Sequence, residues 1–234
     1  MKPLFNPSLM CMDFLRLEEQ MRILNRRAGM YHVDIMDGHF VPNITLSPDI
    51  TAAFAGISEL PLDIHLMVTD PGQYLPSFEK AVKPLRERGI PCYYSPHAEV
   101  MNDKAFRLIQ QISAAGFQPG VVLNPETPLS TVMSYLHRLD ILTVMSVDPG
   151  FAGQPFIPEV LDKIREAKAL KEKDPEKYHY IIQVDGACNK RTFAALAEAG
   201  VESYVVGSSG LFGLDADLEK AFEQMVRDFE EAHG

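Results

Sequence analysis

Short apolar runs recur at intervals along the whole chain: "LFNPSLM" (4–10), "YHVDIM" (31–36), "LDIHLMV" (62–68), "PCYYS" (91–95), "GVVLN" (120–124), "ILTVMSV" (141–147), "YIIQVD" (180–185) and "SYVVG" (203–207). Each has the length of a strand and is rich in β-branched or aromatic residues. Between them lie segments with helical spacing, among them "FLRLEEQMRILNRR", "KAFRLIQQISAAG", "LSTVMSYLHRL", "IPEVLDKIREAKALKEK" and "NKRTFAALAEAG". Several stop at a glycine, as helices often do. Eight strands alternating with helices over 234 residues predict a single (β/α)8 TIM barrel, one domain over 1–234. A doubly wound sheet is the alternative fold, but no G-x-G-x-x-G follows the first strand. The polar stretches 83–91 ("KPLRERGIP") and 171–179 ("KEKDPEKYH") read as surface loops.

The second run opens "YHVDIMDGHFVPN" (31–43), which puts two histidines and two aspartates within nine residues. Alternate side chains of a strand share a face, so His32, Asp34 and Met36 point one way and Tyr31, Val33 and Ile35 the other. The same alternation pairs His65 with Met67, and Ile181 with Gln183 and Asp185. His32, Asp34, His65 and Asp185 fall towards the C-terminal ends of their strands, where barrel enzymes keep their sites. Two imidazoles and two carboxylates suit a mixed N/O divalent site for Zn²⁺, Fe²⁺, Mn²⁺ or Co²⁺. Any one buried histidine is equally well explained as a hydrogen-bonded core residue. Four titratable groups facing one interior without a cation would be costly to desolvate.

A phosphate site is legible separately. "VDPGFAGQPF" (147–156) is a Gly-rich loop after the sixth strand, and "VDGACN" (184–189) and "VVGSSGLFG" (205–213) end the seventh and eighth. Barrels often hold phosphate in the loops after those last two strands, at the start of a short helix. "GSSG" alone would pass for a plain turn; its place after strand eight raises it.

The net charge of −10 carries no basic stripe, which excludes a nucleic-acid backbone as partner but not a small phosphorylated ligand. No apolar run approaches the roughly 20 residues of a membrane span. Cys11, Cys92 and Cys188 form no CxxC pair and read as free thiols of a reducing compartment. The first twenty residues lack an h-region followed by a small-residue cleavage site, so the expected location is the cytoplasm.

Residues 8–13, 32–43, 63–67, 146–158, 184–189 and 205–212 together resemble the ribulose-phosphate 3-epimerase family, over nearly the whole chain. Within it the wording is similar to the branch acting on D-allulose 6-phosphate. "SLMCMD" stands for the pentose enzymes' S-I-L-S-A-D, "DPGFAGQPF" for N-P-G-F-G-G-Q-S-F, and "DGACN" for D-G-G-V-N. The resemblance implies a ketose-phosphate 3-epimerase interconverting D-allulose 6-phosphate and D-fructose 6-phosphate, through a metal-stabilised enediolate. Its alternative is D-ribulose 5-phosphate to D-xylulose 5-phosphate.

By the same resemblance His32, Asp34, His65 and Asp185 hold one divalent ion per subunit (Zn, Fe, Mn, Co or Mg). Asp34 and Asp185 then transfer the two protons. Ser8, His65, Gly150, Phe151, Ala152, Gly153, Asp185, Gly186, Ala187, Gly207, Ser208 and Ser209 would meet the substrate. Met36, Met67 and Met145 would wall the reacting carbon, though core packing explains them too. A homo-oligomer, dimer or hexamer, is expected, with no nucleic-acid or membrane partner. Asp37, Gly38 and His39 read as a structural turn. The fourth strand region, "GIPCYYSPHAEV", looks longer than the family's, which leaves His97 and Glu99 without a role.

Three other readings compete. A phosphate-binding decarboxylase barrel needs D-x-K-x-x-D, which is absent. A Schiff-base aldolase needs a lysine at a strand end, whereas these lysines fall in helices or polar loops. A non-catalytic sugar-phosphate sensor would tolerate loss of a carboxylate, but both are present.

Overall fold

The computed structural model describes residues 3–232. Its elements run β1 (Leu4–Pro7), α1 (Leu17–Leu24), β2 (Tyr31–Met36), α2 (Pro48–Ile57), β3 (Leu62–Met67), α3 (Pro71–Ala81), α4 (Lys83–Glu87), β4 (Cys92–Pro96), α5 (Ala98–Met101), α6 (Ala105–Ala114), β5 (Gln118–Leu123), β6 (Ile141–Met145), α7 (Val160–Lys173), β7 (Ile181–Asp185), α8 (Phe193–Ala199), β8 (Ser203–Val206) and α9 (Leu218–Glu231). The strands pair in parallel in the order β1-β8-β7-β6-β5-β4-β3-β2. The ring closes between β1 and β2 through a single bridge, Ser8 to His32, helped by the Gly29 N–H to Phe5 carbonyl bond of 2.9 Å. This is the expected (β/α)8 barrel.

Strand alternation sorts the side chains. Tyr31, Val33, Ile35, Ile64, Leu66, Val144, Ile182 and Val184 face outward into the apolar layer beneath the helices. The inward face carries the polar groups instead. Asn6, Asp63, Thr143, Gln183 and Ser203 are all 0% exposed and plug the barrel below its C-terminal end. Gln183 ties them together. Its Nε2 donates to Asp63 Oδ2 (2.7 Å) and Thr143 Oγ1 (3.0 Å), while its Oε1 accepts from Asn6 Nδ2 (2.8 Å) and Ser203 Oγ (3.0 Å). A buried polar layer is tolerable only when its members bond one another in this way. Gly120 on β5 makes room for it. A Cβ there would lie 2.1 Å from the Ser95 Oγ that donates to Asp63.

Register positions the site. β2 and β3 pair so that His32 lies beside Asp63 and Asp34 beside His65, and β6 and β7 pair so that Met145 lies beside Asp185.

Two segments differ from the sequence expectation. Residues 129–139 form two 3₁₀ turns, Leu129–Thr131 and Leu136–Arg138, rather than an α-helix. The buried residues Leu129, Val132 and Tyr135, then Leu136 and Leu139, are spaced by three, which matches the three-residue turn of a 3₁₀ coil. The stretch 83–91 contains the short helix α4, which begins at Lys83–Pro84, a proline being well placed in a first turn.

Candidate active site

At the C-terminal mouth of the barrel, four side chains from three strands converge. His32 Nε2 lies 3.3 Å from Asp34 Oδ1 and 3.4 Å from Asp185 Oδ2. His65 Nδ1 lies 3.2 Å from Asp34 Oδ1 and 3.3 Å from Asp185 Oδ2. The two imidazole nitrogens are themselves 3.1 Å apart. One donor atom from each of the four residues lies within 4.8 Å of all the others.

The outward atoms of His32 and Asp34 are engaged. His32 Nδ1–H donates to Asp63 Oδ2 (3.0 Å), and Asp63 also accepts from Ser95 and Gln183. Ser8 Oγ–H donates to Asp34 Oδ2 at 2.6 Å. A histidine whose far nitrogen donates to a carboxylate turns a bare, more basic nitrogen inward, the usual arrangement around a ligated metal. The donor set and its orientation therefore fit a divalent cation.

The charges of the cluster also act strongly on one another. Burial would push His32 and His65 down, yet Asp34 and Asp185 hold both above the ordinary imidazole value. Burial would raise Asp34 and Asp185, but the facing imidazoles hold both carboxyls below the usual range, Asp34 the further. His97 behaves oppositely. Burial pushes it down to about 4 despite Glu99, so it is a neutral ring with one proton.

Above the cluster opens a cleft of about 520 Å³. Ser8, Asp34 and Asp185 lie on its floor, and Met36, Met67 and Met145 form its apolar side. Residues 150–153 with Gly186, Ala187, Gly207, Ser208 and Ser209 form its rim. Of the residues expected to meet substrate, only His65 does not line the cleft; it is fully buried beneath.

The rim loops are tied together. Asn43 Nδ2 donates to the Gly150 carbonyl (2.8 Å), Ser146 Oγ to the Gly186 carbonyl (2.6 Å), and Asn189 Nδ2 to Ser209 Oγ (3.2 Å). Gly186 has φ +108°, and a Cβ on it would press within 2.6 Å of Val147. No side chain other than glycine's suits that approach.

The structure adds residues that the sequence reading missed. Met10, Cys11, Asn189 and Arg191 line the same cleft, and among the described residues Arg191 is the only Lys or Arg that does. Its signal was its position, two residues past "DGACN". Asp63 was findable as well, since the alternation that selects His65 puts Asp63 on the same face. His39 lies in the exposed turn after β2, consistent with a structural role.

A (β/α)8 barrel with paired carboxylates and imidazoles under a glycine-rich rim is the frame of an acid–base enzyme acting on a small anionic substrate. A family model described as the ribulose-phosphate 3 epimerase family matches residues 4–212. The ribulose-phosphate 3-epimerase of Bacillus subtilis (strain 168) is 39% identical over 220 residues, covering 94% of this chain and 96% of that protein. The cytoplasmic isoform of Oryza sativa subsp. japonica is 39% identical over 211 residues, covering 88% and 86%. Among solved structures, a mutant tryptophan synthase alpha-subunit from Pyrococcus furiosus matches with a TM-score of 0.65 at 13% identity, over 99% of this chain and 100% of that one. That likeness concerns the fold alone. The chain belongs to the ribulose-phosphate 3-epimerase family. It is a carbohydrate epimerase, hence an isomerase. Among the described residues no helix is long and apolar enough to cross a membrane.

Proposed function

We propose that this enzyme inverts C3 of a ketose phosphate by two-carboxylate proton transfer. The observation that carries the reading is the convergence of Asp34 from β2 and Asp185 from β7 on one pair of imidazoles at the floor of the cleft. A hydrogen on C3 beside a C2 ketone is weakly acidic. One carboxylate takes it from one face, and the other, protonated, returns a proton to the opposite face. Which of them starts depends on the epimer bound.

His32, Asp34, His65 and Asp185 would hold the divalent cation. Once bound, the cation supplies positive charge beside the oxygen on which negative charge grows. Ser8 fixes the rotation of Asp34 through its 2.6 Å bond, leaving the carboxylate aimed at the cleft. Met36, Met67 and Met145 keep water from the reacting carbon. The backbone near Gly186, Gly207 and Ser208 receives the phosphate, with Arg191 adding charge at the rim.

The named relatives favour D-ribulose 5-phosphate as substrate, with D-xylulose 5-phosphate as product. The expectation of D-allulose 6-phosphate becomes the second reading. It rests on the three segments that depart from the pentose pattern, because Cys11, Ala152 and Ala187 from those segments all line the cleft. Measuring kcat/KM for both substrates on one metal-defined preparation decides between them. A preference for the hexulose phosphate of tenfold or more would overturn the first reading. Activity on neither would overturn the proposal as a whole.

A further inference from the structure

His97 and Glu99 lie against the cluster and take no part in the chemistry above. His65 points Nδ1 at Asp34 and Asp185, and its Nε2 lies 2.8 Å from Nε2 of His97. Two imidazole nitrogens at that distance share one proton, so one ring donates and the other accepts. On the far side, His97 Nδ1 lies 3.3 Å from Glu99 Oε2, a charge contact outside hydrogen-bond geometry, and neither atom has a hydrogen-bond partner among the described residues. The other carboxylate oxygen of Glu99 accepts the Asn124 N–H (3.0 Å) and the Thr127 hydroxyl. The Phe40 ring packs against His97, tilted, with centroids 4.6 Å apart.

The direction of this chain follows from its end. An ionised carboxylate oxygen 3.3 Å away repels a ring lone pair and attracts an N–H, so His97 carries its proton on Nδ1. Its Nε2 is then an acceptor, and His65 must donate from Nε2–H. With a cation bound between them, that leaves His65 Nδ1 bare on the side of the two carboxylates. We propose that Glu99 and His97 are positioning residues that lock the tautomer of His65, keeping Nδ1 unprotonated for a divalent cation. The inference rests on the reading of His65 as a ligand. It gives both residues a purpose: the end of β4 delivers His97, and the first turn of α5 delivers Glu99.

A merely structural Glu99 would only anchor the loop after β5, and Glu99→Gln separates the two roles. Because Oε1 already takes two donors, the glutamine carbonyl must stay there, which turns its NH₂ towards His97 Nδ1. The chain is then reversed: His97 protonates Nε2, and His65 is pushed to protonate Nδ1. The experiment is Zn²⁺ affinity by chelator competition on wild type, His65→Ala and Glu99→Gln, with nitrogen-15 NMR of the histidine rings of the Zn²⁺-loaded wild type. We expect Glu99→Gln to remain folded, with Zn²⁺ binding weakened about 10–100-fold, the usual cost of losing an outer partner of a metal ligand. We expect the wild-type spectra to show His65 protonated at Nε2 and His97 at Nδ1. Wild-type affinity in Glu99→Gln, or His97 protonated at Nε2 in the wild type, would overturn the tautomer lock while leaving the ligand assignment intact. Unchanged Zn²⁺ binding in His65→Ala would instead remove the ligand reading, and the lock with it.

Discussion

Ala187 is the only residue other than glycine with positive φ among those described, at +47°. An L-residue pays about 1–2 kcal/mol to enter the left-handed region, and glycine almost nothing. Ala187 is held there by its carbonyl, which accepts from Thr192 Oγ1 (2.6 Å) and Asn189 Nδ2 (3.0 Å). Glycine is more disordered when unfolded, by roughly 0.5–1 kcal/mol, so Ala187→Gly should gain only the difference, about 0.5 kcal/mol. Differential scanning calorimetry should find a Tm raised by roughly 1–2 °C; a fall would mean that the methyl packing against Val147 and Met145 outweighs the strain.

The two acids can be separated at the same scale. On the proposed two-base scheme, Asp34→Asn and Asp185→Asn keep size and remove one base each, so both should lose epimerisation by about 10²–10⁴-fold. Each should still exchange the C3 proton of one epimer with deuterated solvent, and not the same epimer. NMR of deuterium incorporation from each epimer reads this directly, and near wild-type turnover in either variant would end the two-base scheme. The four cluster residues were legible in the sequence because strand alternation and strand ends are local properties. Glu99 was not assignable. It sits where the side-chain period changes from two to 3.6 at the β4–α5 junction, so no periodic rule aims it at His97.

Between elements, the turn after β2 is held by one carboxylate. Asp37 Oδ1 accepts from the N–H groups of His39 (2.8 Å) and Phe40 (2.9 Å), and its Oδ2 accepts the Thr69 N–H (2.8 Å), fastening this turn to the end of β3. Partial burial would raise its pKa, but the backbone donors of Thr69, Phe40 and His39 prevail and hold it at about 2, below the ordinary 3.8. A depressed carboxyl stabilises the fold fully above its unfolded pKa, and that contribution fades as pH falls through the folded value. Asp37→Ala should therefore cost roughly 1–2 kcal/mol near neutrality, as lost capping carboxylates do. Urea titrations of both proteins at pH 6 and pH 3 should show the gap between them narrowing at the lower pH. A constant gap would mean that the charge contributes nothing. All eight strands were readable from their apolar runs, with ends displaced by a few residues. The 129–139 segment was not, because a three-residue spacing and a 3.6-residue spacing differ little over eleven positions.

For the molecule as a whole, the phosphate is the largest handle a substrate offers. On the proposed function, a phosphate-free ketose would leave the rim groups near Gly186, Gly207 and Ser208 unused, and binding energy from such remote groups helps to orient the reacting carbon. Equal kcat/KM for a free ketose and its phosphate would contradict the rim assignment. The ring of strands has one thin joint, between β1 and β2, where among the described residues Ser8 and His32 form the only bridge. Both residues of that joint belong to the acid–base cluster, since Ser8 holds Asp34 and His32 faces both carboxylates. A hoop under load parts where it is weakest, and this one would part through its own working edge. Dilute urea should silence the enzyme while far-UV ellipticity is still intact, and amide deuteration should reach residues 6–9 before it reaches β6 and β7.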